Sequence, residues 1–280
     1  MRNRRMKVGV LFYGVGTVLT GILDIAWRAF DASHQPIKSL GNLPGQNILA
    51  CIVGTWLVAA GLTIMWGSRV KFGALASGTA YLFFVALWLP RYYAGIHALG
   101  WRIAVLAGTS FGLGQQLMLV APAAILYLCT TSRDSKLHER AGRATRWMLG
   151  LPPIVFGALH ILGISVFAKI VPGWMHLGHF WAAVTGIAFI SAGVAICSGI
   201  RDILAARLLA LMLLLFEGLV EIPPIFVRSH DQPAWGAAVY NLTAIGACWI
   251  FAEFLASRGD SERVNPAGTF ALSHSDRVVA

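Results

Sequence analysis

Eight stretches of this chain are each apolar over about the 20 residues a helix needs to cross bilayer hydrocarbon. They run over 8–29, 47–66, 70–90, 103–130, 148–170, 179–199, 203–226 and 236–256. No other feature constrains the fold as strongly, because a segment in hydrocarbon must satisfy its backbone hydrogen bonds internally and so becomes a helix. Composition agrees with this: 57% hydrophobic residues, 12% charged residues and a mean hydropathy of +0.69 leave too little polar surface for a water-soluble globule of 280 residues. The expected fold class is an all-α integral membrane protein with eight transmembrane helices, and the bilayer is its first partner. The basic "MRNRRMK" ahead of the first run has no convincing small-residue cleavage site behind it, so that run is read as an uncleaved helix.

The basic residues set the orientation, since short cytoplasmic loops retain Lys and Arg. With the N-terminus inside, 16 of the 22 basic residues fall on the inner side and 6 on the outer. Both termini are therefore expected in the cytoplasm, and the membrane is expected to be a cell membrane of the bacterial inner-membrane kind. A basic inner rim facing anionic lipid also accounts for the net charge of +10 without nucleic acid as a partner. Cys51, Cys129, Cys197 and Cys248 stand singly, with no CxxC pair, so neither a disulfide framework nor a dithiol centre is expected.

The charged stretch "TSRDSKLHERAGRATRW" divides the chain into a first four-helix unit over 1–130, a cytoplasmic linker over 131–147, a second unit over 148–256 and a disordered cytoplasmic tail over 257–280. The two units carry matching signposts. "GTWLVAAGLTI" precedes Arg69 and "ALWLP" as "GIAFISAGVAI" precedes Arg201 and "VEIPP", with intervals that agree within one residue. Two tandem four-helix bundles forming a parallel internal repeat is the natural expectation.

"GALHILGISVFAKIVPGWM", Gly157 to Met175, followed by "VTGIAFISAGVAI" resembles the DoxX-like family of small four-helix membrane proteins. The resemblance covers about Met148 to Phe254. The first half matches more weakly, with "PIKSLGNLPG" where the "IVPGW" element would stand. Some members resemble a subunit of a quinone-linked thiosulfate oxidoreductase. The resemblance thus implies a quinone as candidate ligand, a membrane redox partner, and an enzymatic role only as a subunit of such an oxidoreductase.

Chemistry has to be sought by depth in the membrane, where a charged side chain costs about 2.5–3.5 kcal/mol on insertion scales and so asks for a partner or a role. "LLLFEGLVEIPP" carries Glu217 and Glu221 four residues apart, in the outer third of the seventh run. An unbroken helix would put both on one face. His160 is expected near mid-helix in the fifth run, with Asn241 level with Glu217. His176 and His179 flank the sixth run at the outer surface as secondary candidates. Phe84 and Trp88 stand where the first half would hold the glutamates, and Thr17 where it would hold His160, so the first unit is expected to be a degenerate scaffold.

Four readings of this set stay open. It could bind a divalent ion, although no ligand spacing here is a recognised motif and no metal is assigned. It could relay protons beside a quinone or other apolar ligand. It could lie on a small-molecule transport path. Or Glu217 could bond Asn241 or His160 while Glu221 reaches interfacial water, in a purely structural assembly partner. The leading expectation is an accessory or ligand-binding membrane component that is quinone-linked, with the transporter as its alternative. Phosphate-loop and HExxH signatures are absent from the sequence. Elsewhere, Asp24 and Arg28 are expected to pair within a helix, Gln115 and Gln116 to hydrogen-bond between helices, "GTSFG" to join helices, and "RYYAGIHALGW" to form a short interfacial helix.

Overall fold

The computed structural model describes residues 4–31, 34, 45–132 and 134–264. Its long helices are α1 (Arg4–Trp27), α2 (Gln46–Met65), α3 (Val70–Leu99), α4 (Ile103–Thr131), α5 (Ser135–Leu162), α7 (Gly178–Ser198), α8 (Asp202–Phe216) and α10 (Gln232–Val264). A single-turn α6 (Ile164–Phe167) comes directly after α5, and α8 continues through a π-helical turn, Glu217–Glu221, into α9 (Ile222–Val227). Eight of the resulting segments are long and apolar enough to cross a membrane. All of the described secondary structure is helical, and the chain is an integral membrane protein by that measure.

Three stretches differ from expectation. The linker over 131–147 is helical from Ser135, where α5 begins with the Asp134 side chain accepting from the Lys136 amide at 2.9 Å. The stretch from Arg91 belongs to α3, because Pro90 removes one backbone donor without ending the helix. The tail is helical as far as Val264. That extension docks on α5, where Arg258 donates to the His138 carbonyl at 3.0 Å and Phe254 stacks on the His138 ring. Residues 265–280 and most of "PIKSLGNLPG" lie outside the described residues.

The spans form a closed ring of neighbours in the order α1, α2, α3, α4, α5, α7, α8 and α10, with α10 returning to α1 and also touching α4. Within that ring α10 and α4 are the most buried spans. The junction between α7 and α8 is its loosest. Two junctions are made of backbone against backbone. A Cβ on Gly54 would lie 2.6 Å from the Gly21 carbonyl and one on Gly61 would lie 2.6 Å from that of Gly14, which brings α1 and α2 together antiparallel. Between α5 and α7 the partners are Gly157 with Gly186 and Gly150 with Gly193, and a Cβ on Gly193 would stand 2.5 Å from the Gly150 carbonyl. Small residues at seven-residue intervals allow this approach, and dispersion over the close surfaces holds it in lipid. In "GTSFG" only Gly112 works this way, receiving the Trp88 ring, while Gly108 faces open space.

At the end where α5, α8 and α10 begin or finish, ion pairs link neighbouring elements. Arg146 holds Asp202 through two nitrogens at 2.8 and 2.9 Å, and Arg207 meets the buried Glu253 at 2.8 Å. These pairs sit where the helices leave the apolar zone, so each arginine can keep contact with water while its stem packs below.

A side chain added at Gly193 has nowhere to go, whereas one at Gly108 meets nothing. Gly193→Val is expected to cost about 3 kcal/mol through overpacking, while Gly108→Ala should be neutral or slightly stabilising. Thermal unfolding of the two variants in detergent checks the pair.

Candidate functional site

Four of the sequence candidates come together at the end of α8. Two prolines force the π turn there: Pro223 and Pro224 carry no N–H, so Leu219 and Val220 lose the donors an α-helix would supply four residues on. The Ile222 amide bonds the Glu217 carbonyl, one residue further back than in an α-helix. This extra residue changes the register, and the two glutamates do not share an environment as an unbroken helix would require. Glu217 is buried and accepts from the Asn241 amide at 2.9 Å. Glu221 is half-buried and lines a cavity.

The Asn241 amide nitrogen also donates to the Leu213 carbonyl at 2.7 Å. A carbonyl can only accept, so this bond fixes which way the amide faces. Asn241 thereby clips α10 to the last turn of α8 and holds Glu217 in place, as one branch of the structural reading required. His160 does not take part in that clip. Its Nδ1 donates to the Phe156 carbonyl at 2.7 Å, and its ring stacks on Phe167 with centroids 3.9 Å apart. The neutral ring then carries its lone pair on Nε2.

The cavity has a volume of 440 Å³ and collects side chains from both halves of the chain. Phe111, Gln115 and Met118 come from α4; Phe156 and His160 from α5; Phe167 from α6; Trp181, Thr185 and Phe189 from α7; Phe216 from α8; Tyr240 and Asn241 from α10. Aromatic rings dominate, and Phe156, Phe189 and Phe216 meet edge to face in sequence, with centroids 6.0 and 5.9 Å apart. Trp181 and Val184 on α7 and Leu215 and Leu219 opposite them line the cavity and are also exposed. The mouth is therefore the loose α7–α8 junction, on the lipid-facing flank of the protein. Toward the other end of the helices the cavity reaches Met118, Met212 and Ala244. Past these the interior is filled by Leu209, Ile125, Cys248 and Phe251.

His176 and His179 are exposed and do not line the cavity. Among the described residues no group of three His, Cys, Asp or Glu side chains is placed to hold a metal ion. Gln115 lines the cavity floor and Gln116 is buried beside it. In the first half Phe84 stacks on His34 at 4.3 Å and meets Phe30 edge to face, while Trp88 is buried against Gly112.

Sequence reasoning missed a second buried polar group. Asp24 and Arg28 do not pair, because α1 ends at Trp27 and Arg28 turns outward with φ of 50°. Asp24 is instead fully buried, accepts from the Asp31 amide at 3.4 Å, and lies 3.9 Å from His34 Nδ1. His34 lies in the α1–α2 connection, outside any hydrophobic run, and no periodic signal marked it. Burial pushes its imidazole down to about 4, against the opposing pull of Asp31.

These contacts carry two testable consequences. Asn241→Leu leaves the buried Glu217 carboxyl without its partner, while the Leu213 carbonyl keeps the Glu217 amide, and is expected to cost about 2 kcal/mol, whereas Glu217→Gln keeps an acceptor for Asn241 and should cost under about 1 kcal/mol; thermal unfolding in detergent reads both. His34 is buried neutral, while an unfolded histidine takes its proton near 6.5. Its contribution to stability is therefore complete above about pH 6.5 and is lost as pH falls toward about 4. His34→Phe should flatten the fall in melting temperature between pH 7.5 and 4.5 relative to the parent protein.

Comparison of the chain with known proteins finds no matching family model, no matching curated protein and no matching solved structure.

Proposed function

We propose that the protein is a ligand-binding component of the membrane that holds a ring-bearing, apolar ligand of the quinone class in the cavity of its second half. The observation that carries this reading is the cavity itself: 440 Å³ of space walled by aromatic side chains and open toward lipid between α7 and α8. An apolar enclosure with a few polar groups is the usual form of a small-molecule site. A lateral mouth suits a ligand that arrives dissolved in the bilayer. Translocation would need a polar path past Gln115, and the packing of Leu209, Cys248 and Phe251 beyond the cavity favours binding over passage.

The tandem architecture is part of the proposal. The paired glycine crossings of α1 with α2 and of α5 with α7 support two copies of one four-helix unit, the first degenerate and filled by Phe84 and Trp88. The same crossings support the DoxX-like relationship of the second half. The placement of basic residues supports cytoplasmic termini. A membrane redox partner would then use the bound ligand, with this protein serving as an accessory subunit.

The test is equilibrium binding of decylubiquinone to the protein in lipid nanodiscs, monitored by quenching of tryptophan fluorescence. Ala188 lines the cavity, and Ala188→Phe is expected to weaken binding by at least about tenfold by filling the space. Saturable binding with equal affinity in parent and variant, or none in either, would sink the proposal.

A further inference from the structure

We infer that the ligand of this cavity presents a hydrogen-bond donor, a phenol-type hydroxyl on its ring, and that His160 Nε2 receives it. This inference rests on the cavity being a ligand site, and it comes from counting which polar atoms of the lining remain unspent.

The donors of the lining are nearly all committed elsewhere. His160 Nδ1 already donates to the Phe156 carbonyl, so the neutral ring offers only its Nε2 lone pair. Both hydrogens of the Asn241 amide go to Leu213 and Glu217, leaving Oδ1. The Thr185 hydroxyl donates to the Trp181 carbonyl at 2.8 Å, and the Tyr240 hydroxyl points at the Met118 sulfur at 3.6 Å. Glu221 is acceptor-only when ionised, and as an acid it offers one donor beside its acceptor oxygen. Against these acceptors stand the Gln115 amide within the cavity and the Trp181 indole at its mouth.

A ligand bearing only carbonyl or ether oxygens finds donors only at Gln115 and Trp181 and leaves the His160 Nε2 lone pair unpaired, so it binds more weakly than one that also carries a hydroxyl. A hydroxyl on an aromatic head satisfies one acceptor while its ring meets the aromatic wall. His160 is the receiver the geometry points to, because stacking on Phe167 and the Phe156 bond fix its ring. Its Nε2 makes no hydrogen bond among the described residues. In a redox pair of this ligand class the hydroquinone would be held more tightly than the quinone.

The experiment compares 4-nonylphenol with its methyl ether, 4-nonylanisole, two probes of nearly equal size and apolarity that differ in one donor. Both are titrated by equilibrium binding into the full-length protein in nanodiscs, alongside His160→Phe and Ala188→Phe. The phenol is expected to bind about tenfold or more tightly than the ether. His160→Phe keeps the stack on Phe167, and it should weaken the phenol to the level of the ether while leaving the ether unchanged. Equal affinities for the two probes, both weakened by Ala188→Phe, would overturn the donor inference and leave the cavity reading standing. A phenol preference that survives in His160→Phe would overturn the assignment to Nε2. Failure of both probes to bind, with Ala188→Phe indistinguishable from the parent, would bring down the ligand site and this inference with it.

Discussion

In hydrocarbon a backbone amide has no water to turn to, so every carbonyl must find its donor within the protein. That constraint makes each span helical, and it explains why the two consecutive prolines after Glu221 have consequences so far beyond their own positions. Removing two donors from the last turns of a span is tolerable only if the chain rearranges around the gap. The π turn is that rearrangement, and its extra residue separates the two glutamates into different surroundings. One is clipped by Asn241 against α10 and the other stands in the cavity wall. The candidate site is thus a by-product of a local failure of helix geometry, a common origin for π turns at sites of function.

Much of this was legible in the residues. Eight apolar runs became eight spans, and the boundaries of α2, α4 and α7 fell within about two residues of the hydrophobic edges. Depth narrowed the partner of Glu217 to Asn241 or His160, and the structure pairs it with Asn241 while His160 bonds the Phe156 carbonyl. What stayed hidden depended on register or on long-range packing. Pro90 reads as a helix end because proline usually is one, yet α3 passes through it. The polar stretch after Thr131 reads as a loop because charges dominate it, while its capped start and its contacts with α10 keep it helical. The i, i+4 spacing of Asp24 and Arg28 promised an ion pair that the end of α1 at Trp27 abolishes. His34, far from any hydrophobic run, gave no signal of its burial beside Asp24.

The two halves show how a shared set of helix contacts can serve different ends. Both use paired glycines to bring an antiparallel pair into backbone contact. In the first half the space beside that pair is taken up by Phe30, His34, Phe84 and Trp88. In the second, Glu217 is clipped by Asn241 and Glu221 stands in the cavity wall, and the π turn widens the local path of the chain. An empty volume of this size is costly if left without contents, because its lining forgoes dispersion contacts on one side.

The glycine crossing of α5 with α7 carries a mechanical consequence. Two backbones in contact cannot slide or roll against one another without collision, so the wall they form is stiff. The opposite wall hangs on the loose α7–α8 junction and on a helix whose hydrogen-bond ladder is already interrupted. The compliance of the chamber is therefore one-sided. Guests of different girth would be accommodated by displacement of α8 outward into lipid, and the stiff α5–α7 wall would serve as the fixed ruler against which a ring is placed.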